Sequence, residues 1–130
     1  MKIKVSEAAG PVLDHMVHIV IGLTIREDFK YGRMYYRPQT KPDEVAWENV
    51  PLPYSTDWSQ GGPIIEREGI DIYHREASTL WSAAIWRDLP GGGQLMCKQR
   101  DCPTPLIAAM RCFVASKLGD EVEVSDELTS

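Results

Sequence analysis

Apolar positions recur at helical spacing in two stretches of the chain. Leu13, Met16, Val17 and Val20 form one stripe, which Val12, Ile19 and Ile21 widen. That arc predicts a helix over residues 11–21 buried on more than one side. Gly10-Pro11 opens it, since proline at the first helical position gives up only an amide that has no intrahelical partner, and Gly22 closes it. The second stripe is Leu106, Ile107, Met110, Phe113, Val114 and Leu118, with Ala108, Ala109 and Ala115 between them to allow close packing. Thr104 as N-cap, Pro105 at the first position and Gly119 as a left-handed cap bound a helix over 105–118.

Alternation marks the strands. Ile3 and Val5 alternate with Lys2 and Lys4, which predicts a short edge strand with its lysines outward. Residues 23–27 and 33–37 are rich in β-branched and aromatic side chains and are joined by a turn at Lys30-Tyr31-Gly32, so they read as an exposed hairpin. Residues 70–75 and 80–87 form a second pair, with Trp81, Ala83 and Ile85 on one face. Four prolines between 38 and 54 exclude a long helix or a central strand there. That stretch is expected to be a surface loop pinned by Trp47, with one helical turn opened by Pro42-Asp43-Glu44. Gly62-Pro63 and Gly69 bracket a short helix near 63–68, and Pro90-Gly91-Gly92-Gly93 reads as a flexible loop. The sum is an α+β domain: a small antiparallel β-sheet built around strands 70–75 and 80–87, packed against the 11–21 and 105–118 helices.

At 130 residues the chain is one domain, 1–130, large enough to bury a core without staples. Hydrophobic residues at 43% and charged residues at 25% are the balance of a globular protein. No apolar run is long enough to span a membrane, and the N-terminus does not read as a signal peptide. The net charge of −5 is uneven. The acidic tail 120–130 carries five of the 19 acids and no base, and the rest balances 14 against 14. Residues 26–41 hold a local excess of three positive charges. Binding to duplex nucleic acid by charge is therefore not expected, because neutralising phosphates takes many clustered bases. The tail is expected to be a solvated end.

Candidate chemistry is sparse. Cys97, Cys102 and Cys112 read as reduced thiols, and the spacing of the first two does not suit a zinc knuckle. Asp14 and His18 lie four apart on the first helix with His15 beside them, a spacing open to a general-base pair or two metal ligands. With no third ligand at matching spacing, a solvated polar stripe is expected instead. Arg111 is expected to face solvent. No spacing joins His15, His18 or His74 to Ser55 or a cysteine as base and nucleophile, so an enzyme is not the favoured reading, and no cofactor or metal is implied. The Gly91–Gly93 run lacks the Lys-Ser/Thr of a phosphate-cradling loop.

The densest polar stretch is Ser55-Thr56-Asp57-Trp58, which leads into Gly61-Gly62-Pro63-Ile64-Ile65-Glu66-Arg67-Glu68. That block, together with Thr104-Pro105-Leu106-Ile107-Ala108-Ala109-Met110-Arg111 and its continuation to Val122, resembles the phage NinX-like family, named from the nin region of lambdoid phages. The opening Lys-x-Lys-Val-Ser and Leu13-Asp14 fit it too. The resemblance implies a protein of phages or prophages in enterobacteria that acts in the host cytoplasm. It carries no chemistry and no catalytic residues.

Two functions follow as expectations. The first is a non-catalytic binder of a small anionic, nucleotide-like ligand, serving to sequester a host defence signal. Tyr54 and Trp58 would stack a base, and Ser55, Thr56 and Gln60 would hold its edges or a ribose. Arg67 or Arg111 would meet phosphate, as would the backbone amides of Gly61 and Gly62 at a helix N-terminus. Asp57 would bond a ribose hydroxyl or cap its own turn. The alternative is a protein–protein interaction module that modulates a host or phage enzyme, with four tryptophans and five tyrosines as anchors and the acidic tail mimicking nucleic acid. The same aromatics would allow a homodimer.

Overall fold

The helix predicted over 105–118 is the centre of the molecule. In a computed structural model, which describes residues 1–38 and 46–125, it runs Pro105–Leu118, and every residue from Leu106 to Ala115 is buried. A helix apolar all round must be covered on all sides. Ordered along the chain, the elements are β1 Lys2–Lys4, a single 3-10 turn at Val5–Glu7, α1 Gly10–Ile21, β2 Ile25–Asp28, β3 Gly32–Tyr36, β4 Trp47–Glu48, α2 Trp58–Glu68, β5 Asp71–Tyr73, β6 Trp81–Asp88, β7 Gln94–Cys102, α3 Pro105–Leu118 and β8 Glu121–Glu123. The α+β class holds. Its strands form three small antiparallel sheets rather than one: β1-β8, β2-β3-β4 and β5-β6-β7. The third sheet packs along α3, α1 and α2 pack on it from other sides, and β8 and the Val5–Glu7 turn touch it as well.

Local chemistry sets the helix ends. Thr104 Oγ1 accepts from the Ile107 amide at 3.0 Å, satisfying one of the orphan donors of α3. Gly119 ends that helix at φ 90°, ψ −173°, an extended glycine conformation rather than the left-handed cap expected. α1 starts at Gly10 and stops on a left-handed Gly22. α2 differs from expectation. It begins at Trp58, because Asp57 Oδ1 accepts from the Ser59 amide at 2.9 Å and hydroxyl at 2.7 Å. Pro63 then lies inside the helix on an exposed face, where the carbonyl it cannot bond belongs to exposed Ser59.

Four strand readings are corrected. Residues 90–93 are not a free loop but the turn of the β6–β7 hairpin, with the Leu89 amide donating to Gly93 O at 3.0 Å. β7 escaped notice because its sequence, QLMCKQRDC, has neither β-branched residues nor clean alternation. Trp47–Glu48 is a strand against β3, inside the stretch expected to be all loop. The acidic segment is not simply solvated: Glu121–Glu123 pairs with β1, so that Lys2 and Lys4 lie opposite Glu123 and Glu121, and Val124 is buried. The helical turn expected at Pro42-Asp43-Glu44 and the tail from residue 126 lie outside the described residues.

The two adjacent glycines of α2 have different surroundings. A Cβ on Gly61 would stand 2.4 Å from Tyr54 O and 2.5 Å from Leu106 Cδ1, so α2 meets the Tyr54 backbone and α3 only because position 61 is bare. A Cβ on Gly62 meets nothing within 4 Å. Gly61→Ala should therefore lower the urea midpoint by the equivalent of about 2 kcal/mol through overpacking. Gly62→Ala should leave it within about 0.5 kcal/mol of the wild type, because the helix-propensity gain is offset by the crowding of a helical Cβ against the ring of Pro63.

Candidate functional site

The polar stretch 54–62 folds into a tight turn that feeds α2. The Thr56 and Asp57 amides both donate to Pro53 O, at 3.2 and 2.9 Å. The predicted site residues then part company. Ser55, Thr56 and Trp58 come together with the first turn of α3, residues Thr104 to Ile107, around an open groove of about 210 Å³. Trp58 is 53% exposed there, and the Thr56 side chain is exposed with no hydrogen-bond partner among the described residues. Asp57 is taken up by capping α2, and the Ser59 hydroxyl and amide on it hold its carboxyl below the usual range. Tyr54 is buried in the core, so its ring is not presented to the groove. The Gly61 amide donates to Asp57 O within the helix at 3.0 Å and does not stand at a free N-terminus. Gln60 and Gly62 lie on the first turns of α2, both partly buried.

Neither arginine reaches the groove. Arg67 stands near the C-terminal end of α2, about 14 Å along the helix axis from Trp58, and pairs with Glu68 at 3.4 Å. Glu68 also meets Arg87 from β6 and Lys117 from α3, so it ties three elements together. Arg111, expected to face solvent, is 7% exposed, and its Nε donates to Ala8 O at 2.7 Å. It pins the chain entering α1 to the middle of α3, and the partner lies 103 residues away in sequence, beyond the reach of any local pattern.

A second cluster was discounted in the sequence. Asp14, His15 and His18 are not a solvated stripe: they are 6%, 7% and 0% exposed. The Asp14 carboxylate accepts from the Ser55 amide at 2.8 Å, tying α1 to the turn ahead of α2. His15 Nδ1 meets the Tyr35 hydroxyl at 2.7 Å, and the rings of His15 and His18 both stand edge-on to Tyr35, at 5.6 and 5.2 Å. His18 Nε2 lies 3.2 Å from Thr24 O, which can only accept, so that nitrogen carries the proton; Nδ1 is buried without a partner among the described residues. Burial pushes the Asp14 carboxyl up, with the Ser55 hydroxyl and amide partly offsetting it. Burial, aided by the charge of Arg33, pushes His15 down to about 4, and burial lowers His18 as well. Helical spacing grouped these three residues but gave them a solvated face, which the structure corrects. Their partners, Tyr35 and Ser55, come from other elements, so the burial was invisible.

The aromatic and basic residues of 26–37 are used structurally. Tyr35 is buried, Tyr36 packs edge-on to Trp47 at 5.4 Å, and Arg26 lies over the Trp47 ring at 4.1 Å. Arg33 pairs with Glu27, and Arg37 donates to Val50 O and Pro51 O. The cysteines are equally embedded. Cys112 Sγ lies 3.1 Å from Cys97 O, and burial pushes the Cys112 thiol up to about 12, so it stays protonated.

The His15 shift has a consequence for stability. The native state keeps the imidazole neutral down to about pH 4, whereas the unfolded chain protonates it near 6.5. The unfolded state thus binds more protons across that window, so stability is complete above it and drains as pH falls through it. His18 acts in the same direction, while the raised Asp14 works against both at the acid end. Urea unfolding should lose about 1–2 kcal/mol between about pH 7 and about pH 5. His15→Gln, less stable overall, should show a flatter dependence.

Comparison with known protein families gives one informative result. The family model described as Bacteriophage P22, NinX matches residues 4–117. The span takes in α1, α2 and all but the last residue of α3, together with residues 23–50 and the 91–93 turn, which lie outside the blocks that carried the resemblance. Comparison with curated proteins gives no match. With 4–117 matched, the chain belongs to this NinX family of phage proteins.

Proposed function

We propose that this phage protein is a non-catalytic binder of a small anionic, nucleotide-like ligand, acting in the host cytoplasm, where holding a host defence signal out of circulation would favour the phage. The observation that carries the reading is the groove at Trp58. A half-exposed indole stands beside a concavity of about 210 Å³, rimmed by the Thr56 side chain, which has no partner among the described residues. That volume is below the usual range for a whole drug-sized ligand, and it suits one flat ring stacked on the indole with the rest of the molecule outside. The groove also lies against the first turns of both α2 and α3. The N-terminus of α3 places partial positive charge beside it, which favours a negative ligand, while the Asp57 carboxylate already offsets that of α2.

The residues that would carry acid–base chemistry support a binder over an enzyme. His15 is neutral and bonded to Tyr35, Asp14 is bonded to Ser55, and Cys112 is held as a thiol. A protein-interaction role has one observation in its favour: Phe29, at the tip of the β2–β3 hairpin, is fully exposed, with Tyr31 at 59%.

A panel of nucleotides and cyclic nucleotides should quench indole fluorescence and raise Tm for at least one member. Trp58→Ala should weaken that ligand about tenfold or more, the loss expected for one stacked base. Phe29→Ala should leave ligand binding unchanged. A chain that purifies empty and is silent across the panel, yet captures a host protein that Phe29→Ala releases, would replace this reading with the interaction module.

A further inference from the structure

At the end of the β6–β7 hairpin the strand ladder slips by one residue. Trp81 pairs with Cys102 and Ala83 with Gln99, so Ser82 alone faces both Arg100 and Asp101. This is a bulge, a device that re-aims side chains at the edge of a sheet. Asp101 has φ 56°, and among the described residues no other non-glycine residue has a positive φ. Aspartate tolerates that region better than most residues, at a cost of roughly 1 kcal/mol. The bulge forms one wall of a cavity of about 130 Å³ whose other wall is the end of β5, with Tyr73, His74 and Arg75.

Charge in this cavity is unbalanced. Arg75, Lys98 and Arg100 line it against a single carboxylate, Asp101, an excess of two positive charges in a chain of net charge −5. Neither guanidinium has a hydrogen-bond or ion-pair partner among the described residues. The Lys98 ammonium lies 5.0 Å from the Tyr73 ring centroid, a contact that positions it without neutralising it. His74 Nδ1 lies 3.0 Å from Arg75 O and must donate there, and the ring stands edge-on to Trp81 at 4.1 Å, so Nε2 is the ring's open nitrogen. Cations that converge on one concavity repel one another, and a bound anion relieves that repulsion.

We propose that this cavity binds a phosphomonoester dianion. Arg75 and Arg100 supply paired N–H donors that match phosphate oxygens, Lys98 supplies a point charge, and the Ser82 hydroxyl a neutral donor. Two negative charges match the excess of the lining, whereas a carboxylate or a phosphodiester would leave one cation uncompensated. The volume, below the roughly 150 Å³ that holds a benzene ring, fits the phosphoryl group and leaves whatever it esterifies outside. Free phosphate and the terminal phosphate of a small metabolite share this chemistry. The site has no residue in common with the Trp58 groove and stands independently of ring binding there.

The test titrates the full ¹⁵N-labelled chain at low salt with inorganic phosphate, phenyl phosphate and dimethyl phosphate, following the Ser82, Arg100 and Asp101 amides. Phosphate and phenyl phosphate should move them saturably, with the diester weaker by about tenfold. Equal affinity for the first two identifies free phosphate as sufficient, and tighter phenyl phosphate identifies an esterified ligand. Arg100→Gln, a change at an exposed side chain, should weaken binding about tenfold or more. Asp101→Asn keeps a residue at ease with positive φ and removes the opposing charge, so it should tighten binding several-fold. Trp58→Ala should leave these affinities unchanged. Amides that do not move, or affinities equal in the wild type and Arg100→Gln, would overturn the assignment.

Discussion

A buried helix in the middle of a small domain imposes one requirement on everything else: apolar surface must arrive from every direction. α3 has ten consecutive buried residues, from Leu106 to Ala115. α1 supplies Leu13, Met16 and Val17, the third sheet supplies Ala83 and Ile85, and α2 supplies Ile64. None of these elements has a second core to fall back on. The alanines of α3 let its neighbours approach closely, and Gly61 does the same from the opposite side. Packing along this one helix is what the β5-β6-β7 sheet and β8 have in common, whereas the β2-β3-β4 sheet is attached to α1 through Tyr35.

The polar side chains drawn into this core act as fasteners between elements. Asp14 holds the turn before α2 through the Ser55 amide, His15 and His18 meet Tyr35 of β3, and Arg111 holds the entry to α1 through Ala8 O. Each bond joins segments far apart in sequence. A buried polar group with its partner removed is costly, so these bonds select one arrangement of helices among the several that apolar packing alone would allow.

That distinction explains what could be read from the sequence. Helix ends were readable because their chemistry is local: Thr104 caps a residue three positions away, and Gly22 and Gly69 sit at left-handed stops. The start of α2 misled because Gly62-Pro63 is a common opening pair, while Asp57, five residues earlier, made the actual cap. β7 was hidden by its polar composition, and β8 by the run of acids that its pairing with Lys2 and Lys4 accommodates. Ser55, Thr56 and Trp58, grouped in the sequence by residue type alone, line one groove. Arg67 and Arg111 were misplaced because their partners, Glu68 with its neighbours and Ala8 O, are assembled by tertiary structure. The bulge at Arg100 and Asp101 depends on strand register, which hydrophobic pattern does not encode in a strand this polar.

The β1–β8 ribbon sets a timetable for biosynthesis. Ile3 pairs opposite Val122, and the Val5 amide donates to Asp120 O. A ribosome therefore delivers β1 more than a hundred residues before anything can complete its ladder, and the helix that α1, α2 and the third sheet pack against is itself made only after position 104. Until then the earlier segments have local hydrogen bonds but no place to hide their apolar faces. Such a chain completes its core late, as one unit rather than piece by piece as it emerges.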